Sequence, residues 1–235
     1  MSRLDPQRAL VLAPHPDDES LGCGGAIKLI TAAGGQVDVV CLTHGEFGRL
    51  TGMRADGPCL DELARIRADE AVRAGAVLGI ANVSFLKGRD RRLAEMVPER
   101  AEEILRLLDQ GDYRSVFAPW ARDGHPDHVA THQTLVAALK RYARPIEVWL
   151  YEVWSPLEPN MAIPIDTVIE DKVRAIRAYE SQLTVHDYES TFRALAQYRS
   201  LLCPGTRYAE AFFVCKAATL CSSQPSEISN LKSEI

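Results

Sequence analysis

The chain has no cysteine pair at CxxC spacing, no apolar run long enough to span a bilayer, and no surplus of basic charge. Each absence removes a class of protein. The six cysteines, Cys23, Cys41, Cys59, Cys203, Cys215 and Cys221, do not form a thiolate zinc site. Cys41 and Cys215 lie in apolar, strand-like runs, where a free thiol behaves as a small hydrophobe. A formal net charge of -5 argues against a general binder of nucleic acid or anionic membrane. No transmembrane span is expected. The segment from Met1 to Leu12 lacks the long apolar core and small-residue cleavage site of a secretory signal, so the expected location is the cytoplasm. Disulfides are unusual there, and buried free thiols are expected. There are no internal repeats.

What is present is the composition of an ordinary globular protein, with 46% apolar and 25% charged residues over 235 positions. That length suits one well-cored domain. Short apolar runs alternate with segments of helical spacing. Strands are expected over 9–13, 36–42, 82–86, 115–119, 146–151 and 211–215. Helices are expected over 22–33, 60–78, 98–108, 127–141 and 171–182, with loops at 43–59 and 87–92. Gly34 and Gly79 stop two of the helices, and Pro98 opens another. Alternation of this kind implies a single Rossmann-like α/β domain with a mostly parallel sheet flanked by helices, occupying residues 1–221. The Ser-rich, polar segment 222–235 is expected to be a disordered tail.

Two proline-stiffened knots carry the chemistry. The first is His15-Pro16-Asp17-Asp18-Glu19, directly after the strand at 9–13. The second is His125-Pro126-Asp127-His128, soon after the strand at 115–119. In a doubly wound sheet, ligands bind outside the carboxyl ends of the strands. Both knots fall there, and so do Glu46 and Asp90. His15 and Asp18, three apart in a loop, can face one point, and either His125 or His128 supplies a third ligand for a catalytic zinc with an open position. Such a set permits metal-assisted hydrolysis, with a nearby unligated carboxylate moving the proton. A competing reading comes from Gly22-Cys23-Gly24-Gly25, which opens a helix where a phosphate could sit. That reading makes the protein a non-catalytic binder of nucleotides or sugar nucleotides. It lacks full GxGxxG spacing and sets three carboxylates beside the would-be phosphate.

The ordered set of motifs resembles the LmbE/PIG-L family of zinc-dependent N-deacetylases over roughly residues 9–216. Besides the two knots, the likeness rests on Thr43-His44-Gly45-Glu46, Ile66-Arg67-Ala68-Asp69-Glu70-Ala71, Asp90 and Tyr151-Glu152-Val153-Trp154. It continues through Lys172, Ala178-Tyr179-Glu180-Ser181-Gln182 and Tyr208-Ala209-Glu210-Ala211-Phe212. The resemblance implies zinc, one per chain, on His15, Asp18 and His128, although such a donor set tolerates other divalent metals. It implies Asp17 as general base, His125 as the imidazole that stabilises the tetrahedral intermediate, and Asp127 as the partner of His125. Arg67, Glu46 and Asp90 are then expected to bind substrate. One departure stands out: relatives acting on anionic substrates carry Arg immediately before the second knot, where this chain has Gly124.

The implied substrate is a small N-acetylated amino sugar or conjugate, with a non-sugar amide as the alternative. No nucleic acid or membrane partner is expected, and the state of association, homo-oligomers included, is left open. His132, four residues after His128, is assigned to packing or solvent. His186 is expected near the mouth of the site, and Trp154 and Tyr188 either stack on a sugar ring or pack.

Overall fold

A computed structural model describes residue 4, residues 8–48 and residues 59–222. The apolar run at 9–13 needs cover on both faces, which only a central strand provides. It forms β1 (Arg8–Ala13), paired in parallel with β2 (Gln36–Thr43) on one side and β4 (Ser115–Pro119) on the other. β3 (Asn82–Gly88) extends the sheet beyond β2, and β5 (Glu147–Tyr151) extends it beyond β4, again in parallel. β7 (Ala209–Lys216) and β6 (Met161–Pro164) close that edge antiparallel, giving the order β3-β2-β1-β4-β5-β7-β6. The expected mostly parallel, Rossmann-like sheet is therefore present.

Alternation along β1 splits the core into two layers. Ala9, Val11 and Ala13 pack against Ile27 and Ile30 of α1 (Asp18–Ala32), Ala74 and Leu78 of α2 (Cys59–Leu78), and Ala175 of α5 (Ile169–Arg177). Leu10 and Leu12 face the other way, onto Ile104 and Leu108 of α3 (Val97–Gln110), Leu135 of α4 (Pro126–Leu139) and Leu220 of α8 (Ala217–Ser222). From β1 the chain moves outward through β2 and β3, then returns to β4 on the opposite side. The crevice where strand order reverses thus lies between the ends of β1 and β4.

Four local features depart from the sequence expectation. First, α1 begins at Asp18, not Gly22, and breaks at Cys23 (φ -142°, ψ 21°). The amides freed by the break, Gly25 N and Ala26 N, donate to the two oxygens of Glu210 at 2.7 and 2.8 Å. Lys172 Nζ holds the same carboxylate at 2.5 Å and also reaches Leu21 O at 2.8 Å. Gly22 is needed for a different reason: a Cβ there would lie 2.2 Å from the Tyr151 ring, whose hydroxyl donates to Leu12 O.

Second, the helix expected over 171–182 is two helices, α5 and α6 (Glu180–Leu183), because Tyr179 turns out of helical geometry to donate to Glu19 Oε1 at 2.6 Å. Glu70 then caps α6 through Ser181 N and Oγ, both at 2.7 Å. Third, the segment 155–164, expected as a pocket-shaping loop, ends in the short edge strand β6, paired with β7, and α7 (Tyr188–Arg199) carries no expectation from sequence. Fourth, Ser222 of the expected tail closes α8, while 223–235, like 49–58 of the expected 43–59 loop, lie outside the described residues.

Candidate active site

The two knots leave neighbouring strands, β1 and β4, on either side of the switch point, and their side chains meet. Asp18 Oδ2 lies 3.2 Å from His15 Nδ1 and 3.2 Å from His128 Nε2. Two donors bound tetrahedrally to zinc at about 2.0–2.1 Å are separated by roughly 3.3 Å, so each of these two pairs has a spacing that a shared ion accommodates. His128 is fully buried, yet neither ring nitrogen makes a well-directed hydrogen bond. A buried imidazole flanked by carboxylates on both nitrogens, with its Nε2 in no well-directed hydrogen bond, fits a metal ligand. His15, His125 and His128 also present nitrogens within 4.8 Å of one another, and so do donor atoms of His15, Asp90 and Asp127.

The electrostatics agree. Burial works to discharge His128, but Asp18 and Asp123 outweigh it and raise its pKa to about 9. His15 is driven well above its ordinary value in the same way, by Asp127, Asp18 and Asp90 against burial. Burial raises the Asp18 carboxyl, yet the two imidazoles hold it well below the usual carboxylate range. The carboxylates thus create a field that demands positive charge at this point, and a divalent cation satisfies it.

Asp17 stands beside these groups with φ 131°, a backbone conformation that L residues rarely adopt. The Asp17 amide donates to Glu19 Oε2, and Arg67 Nη2 lies 3.1 Å from Asp17 Oδ2. Burial pushes the Asp17 carboxyl up to about 7, against the pull of Arg67. That poises it to exchange a proton near neutrality.

His125 is the N-cap of α4, and its Nδ1 accepts the Asp127 N–H at 3.2 Å. A ring whose Nδ1 accepts carries its proton on Nε2 when neutral. Burial, with His15 and His128 nearby, lowers the His125 pKa and favours that neutral form.

The Asp127 carboxylate does not reach the His125 ring, as the resemblance implies it should. It accepts from Arg91 N at 2.5 Å and Leu93 N at 3.1 Å, and approaches His15 Nε2 at 3.2 Å. The reason is the α4 N-terminus, where the backbone amide of Asp127, not its side chain, faces His125. Asp90 Oδ1 is likewise 3.2 Å from His15 Nε2, and its Oδ2 accepts from Phe47 N. Two carboxylates therefore grip the outer nitrogen of His15 and leave Nδ1 facing Asp18, the second layer of contacts expected around a ligating imidazole.

Arg67 and Asp90 line the cavity above the site, about 380 Å³ in volume, together with His15, Asp17, Asp18 and His125. Glu46 does not line it; its Oε1 accepts from Asp90 N at 3.1 Å and fixes that loop from behind. The Arg67 guanidinium is engaged by the protein itself, donating to Gly45 O at 2.9 Å and Pro16 O at 2.6 Å. Trp154 and Tyr188 stand on the rim in an edge-to-face pair 6.3 Å apart. His186 is exposed and packs on Tyr188 outside the lining, and His44 stacks on Phe85. His132 is buried, with Nδ1 3.2 Å from Pro119 O. The Gly25 and Ala26 amides that a phosphate would need are occupied by Glu210, which removes the basis for the nucleotide-binding alternative.

Asp123 is the residue that sequence reasoning passed over. Its side chain is fully buried behind His128, 3.1 Å from Nδ1. The one available signal was an acidic residue close before the second knot, easily taken for a loop aspartate. Among the described residues, no helix is long and apolar enough to cross a membrane.

Fold and site together define a Rossmann-like α/β protein with a histidine–carboxylate centre at the switch point of its sheet. The family model for GlcNAc-PI de-N-acetylase, PIG-L, matches residues 10–139, and the chain belongs to that family. A diacetylchitobiose deacetylase of Thermococcus kodakarensis is 30% identical over 225 residues, spanning 88% of this chain and 82% of its own. A 1D-myo-inositol 2-acetamido-2-deoxy-alpha-D-glucopyranoside deacetylase of Mycobacteroides abscessus is 28% identical, over 77% of this chain and 83% of its own. The solved N,N'-diacetylchitobiose deacetylase of Pyrococcus horikoshii superposes with a TM-score of 0.79 at 26% identity, covering 90% of this chain and 85% of that one.

Proposed function

We propose that the protein is a zinc-dependent hydrolase that removes an acetyl group from the nitrogen of an amino-sugar derivative. The observation that carries the reading is Asp18 Oδ2 at 3.2 Å from both His15 Nδ1 and His128 Nε2, with His15 and Asp18 lining the cavity that Asp17 and His125 also line. The names of the relatives in the same family support the substrate class.

His15, Asp18 and His128 are the residues that hold the metal in this reading. Zinc, when bound there, supplies Lewis acidity, polarising a carbonyl oxygen and lowering the pKa of a water. Asp17, with a carboxyl that titrates near 7, takes the proton from the attacking water. As the water oxygen bonds to the amide carbon, the carbonyl oxygen becomes an oxyanion, and His125 Nε2–H donates to it. The tautomer needed for that donation is the one the Asp127 amide selects. Asp17 then hands its proton to the nitrogen, the C–N bond breaks, and acetate and the free amine leave. Arg67 keeps Asp17 in place; Asp90 and Asp127 keep His15 turned.

The test is metal content by elemental analysis and amine release from N,N'-diacetylchitobiose, on wild type beside His128→Ala. Near-stoichiometric zinc and amine release in the wild type, both lost in the variant, is the expected result. A wild type that retains no zinc after incubation with it overturns the reading of the site, and a zinc-loaded wild type that releases no amine overturns the proposed substrate.

A further inference from the structure

One carboxylate joins the floor of the cavity to its rim. Asp123 Oδ1 lies 3.1 Å from His128 Nδ1 and accepts the His125 N–H at 3.0 Å. Its other oxygen, Oδ2, accepts the Trp154 N–H at 3.0 Å and the Val153 N–H at 3.4 Å, in the segment that follows β5. The Asp123 side chain is fully buried, so each of these contacts stands in a setting where a lost partner is not replaced by solvent. The loops are also pressed together at Gly124, where a Cβ would lie 3.0 Å from Ser155 Oγ and 3.6 Å from Trp154 Cβ. The space beside Gly124 is thus taken up by the 154–155 segment. Trp154 is half exposed and lines the same cavity as Arg67 and Asp90, in a T-shaped pair with Tyr188.

We propose that Asp123 is a positioning residue that fixes, through its two oxygens, both the metal-facing orientation of His128 and the placement of Trp154 as a stacking platform for the sugar ring. The inference rests on the zinc-hydrolase reading above. Physically, a carboxylate oxygen 3.1 Å from Nδ1 favours a proton on that nitrogen, and a neutral ring protonated there keeps its Nε2 lone pair towards Asp18. Oδ2 takes only backbone donors, so it sets the course of the chain at 153–154 whatever side chain follows. Trp154 contributes a flat apolar face for the C–H side of a pyranose, a surface with few internal rotations to lose on binding. Metal affinity and sugar affinity therefore share one anchor.

Asp123→Asn separates the two arms from simple packing, because the amide keeps the shape of the carboxylate. Facing its oxygen to His128 turns its NH2 onto the Trp154 and Val153 donors, and the reverse orientation turns NH2 onto His128 Nδ1–H. The experiment measures zinc affinity by competition with a chromogenic chelator, and kcat and KM on N,N'-diacetylchitobiose, for wild type, Asp123→Asn and Trp154→Ala. The expected result is zinc binding about 10- to 100-fold weaker in Asp123→Asn, with KM raised. Trp154→Ala should raise KM alone and leave zinc affinity unchanged.

Wild-type zinc affinity in Asp123→Asn, or weakened zinc with an unchanged KM, overturns the proposal even where the wild type is an active zinc enzyme. A wild type that binds no zinc speaks against the hydrolase reading instead. A second measurement needs no variant: in the zinc-loaded wild type, the His128 Nδ1 proton should appear far downfield and exchange slowly in NMR. A His128 ring protonated only at Nε2 overturns the Oδ1 arm.

Discussion

Arg67 Nη2 stands 3.1 Å from Asp17 Oδ2, and the same guanidinium donates to the carbonyls of Pro16 and Gly45. A side chain expected from sequence to bind substrate lines the cavity and also braces a strained turn. Asp17 at φ 131° carries a backbone cost of order 1–3 kcal/mol that its surroundings must offset. A planar fork spans several acceptors at once; an ammonium is a point charge. Arg67→Lys is expected to keep zinc while kcat falls at least about tenfold, because Asp17 loses its fixed direction. Arg67→Ala should in addition lower unfolding stability by roughly 3–5 kcal/mol, the usual result of leaving one half of a buried pair. Steady-state kinetics, zinc analysis and urea unfolding on the two variants check both statements. A fully active Arg67→Ala would show that the brace is dispensable.

Removing the Asp17 charge without its shape gives a second expectation. Asp17→Asn should fold and bind zinc, since His15, Asp18 and His128 are untouched, but lose about 10²- to 10⁴-fold in kcat, the ordinary contribution of a general base. Amine release by a zinc-loaded Asp17→Asn at the wild-type rate would move the proton transfer to another residue.

The parts of the fold that were legible in the sequence are those in which local pattern and burial agree. The apolar runs at 9–13 and 115–119 read as strands of a mostly parallel sheet, which sets both knots at the carboxyl ends of strands. What was not legible depended on contacts between residues far apart in the chain. The break of α1 at Cys23 is stabilised by Glu210, and the break between α5 and α6 by Tyr179 reaching Glu19; neither pairing leaves a mark in local spacing. β6 and α7 were missed because a four-residue edge strand ending in proline and a polar amphipathic helix give weak periodic signals. In the site, residue types identified the members of the cluster, but not which carboxylate faces which nitrogen. Asp127 turned to His15, Glu46 to the Asp90 amide, and Asp123 took the place behind His128.

The close approach at Gly22 yields a stability prediction. A methyl group there would overlap the ring of Tyr151, which is itself held by Leu12 O and has nowhere to retreat in the core. Gly22→Ala should therefore destabilise the protein by about 1–3 kcal/mol, although alanine is the better helix former. Because the overlap lies beneath α1, next to Asp18, zinc affinity should drop with it. Equal denaturation midpoints for wild type and Gly22→Ala would show that the ring yields freely.

His132 supplies a pH dependence whose sign can be worked out. The imidazole is buried one helical turn beyond His128, and burial lowers its pKa from 6.5 to about 4, opposed only by the carbonyl of Pro119. The folded protein therefore refuses a proton that the unfolded chain accepts. Its stabilising contribution is complete above pH 6.5, falls as the pH drops from 6.5 towards 4, and is exhausted below that. Carried across the whole interval, the loss is on the order of 3 kcal/mol. His132→Asn places an amide donor near the position of Nδ1 without a group that titrates in this range. Denaturant midpoints measured from pH 7.5 to 5 should fall more steeply for the wild type than for His132→Asn, and the difference between the two curves isolates His132 from the other titrating groups. Parallel curves would mean that the imidazole is protonated in the fold without penalty, and that the Pro119 carbonyl suffices to hold its charge.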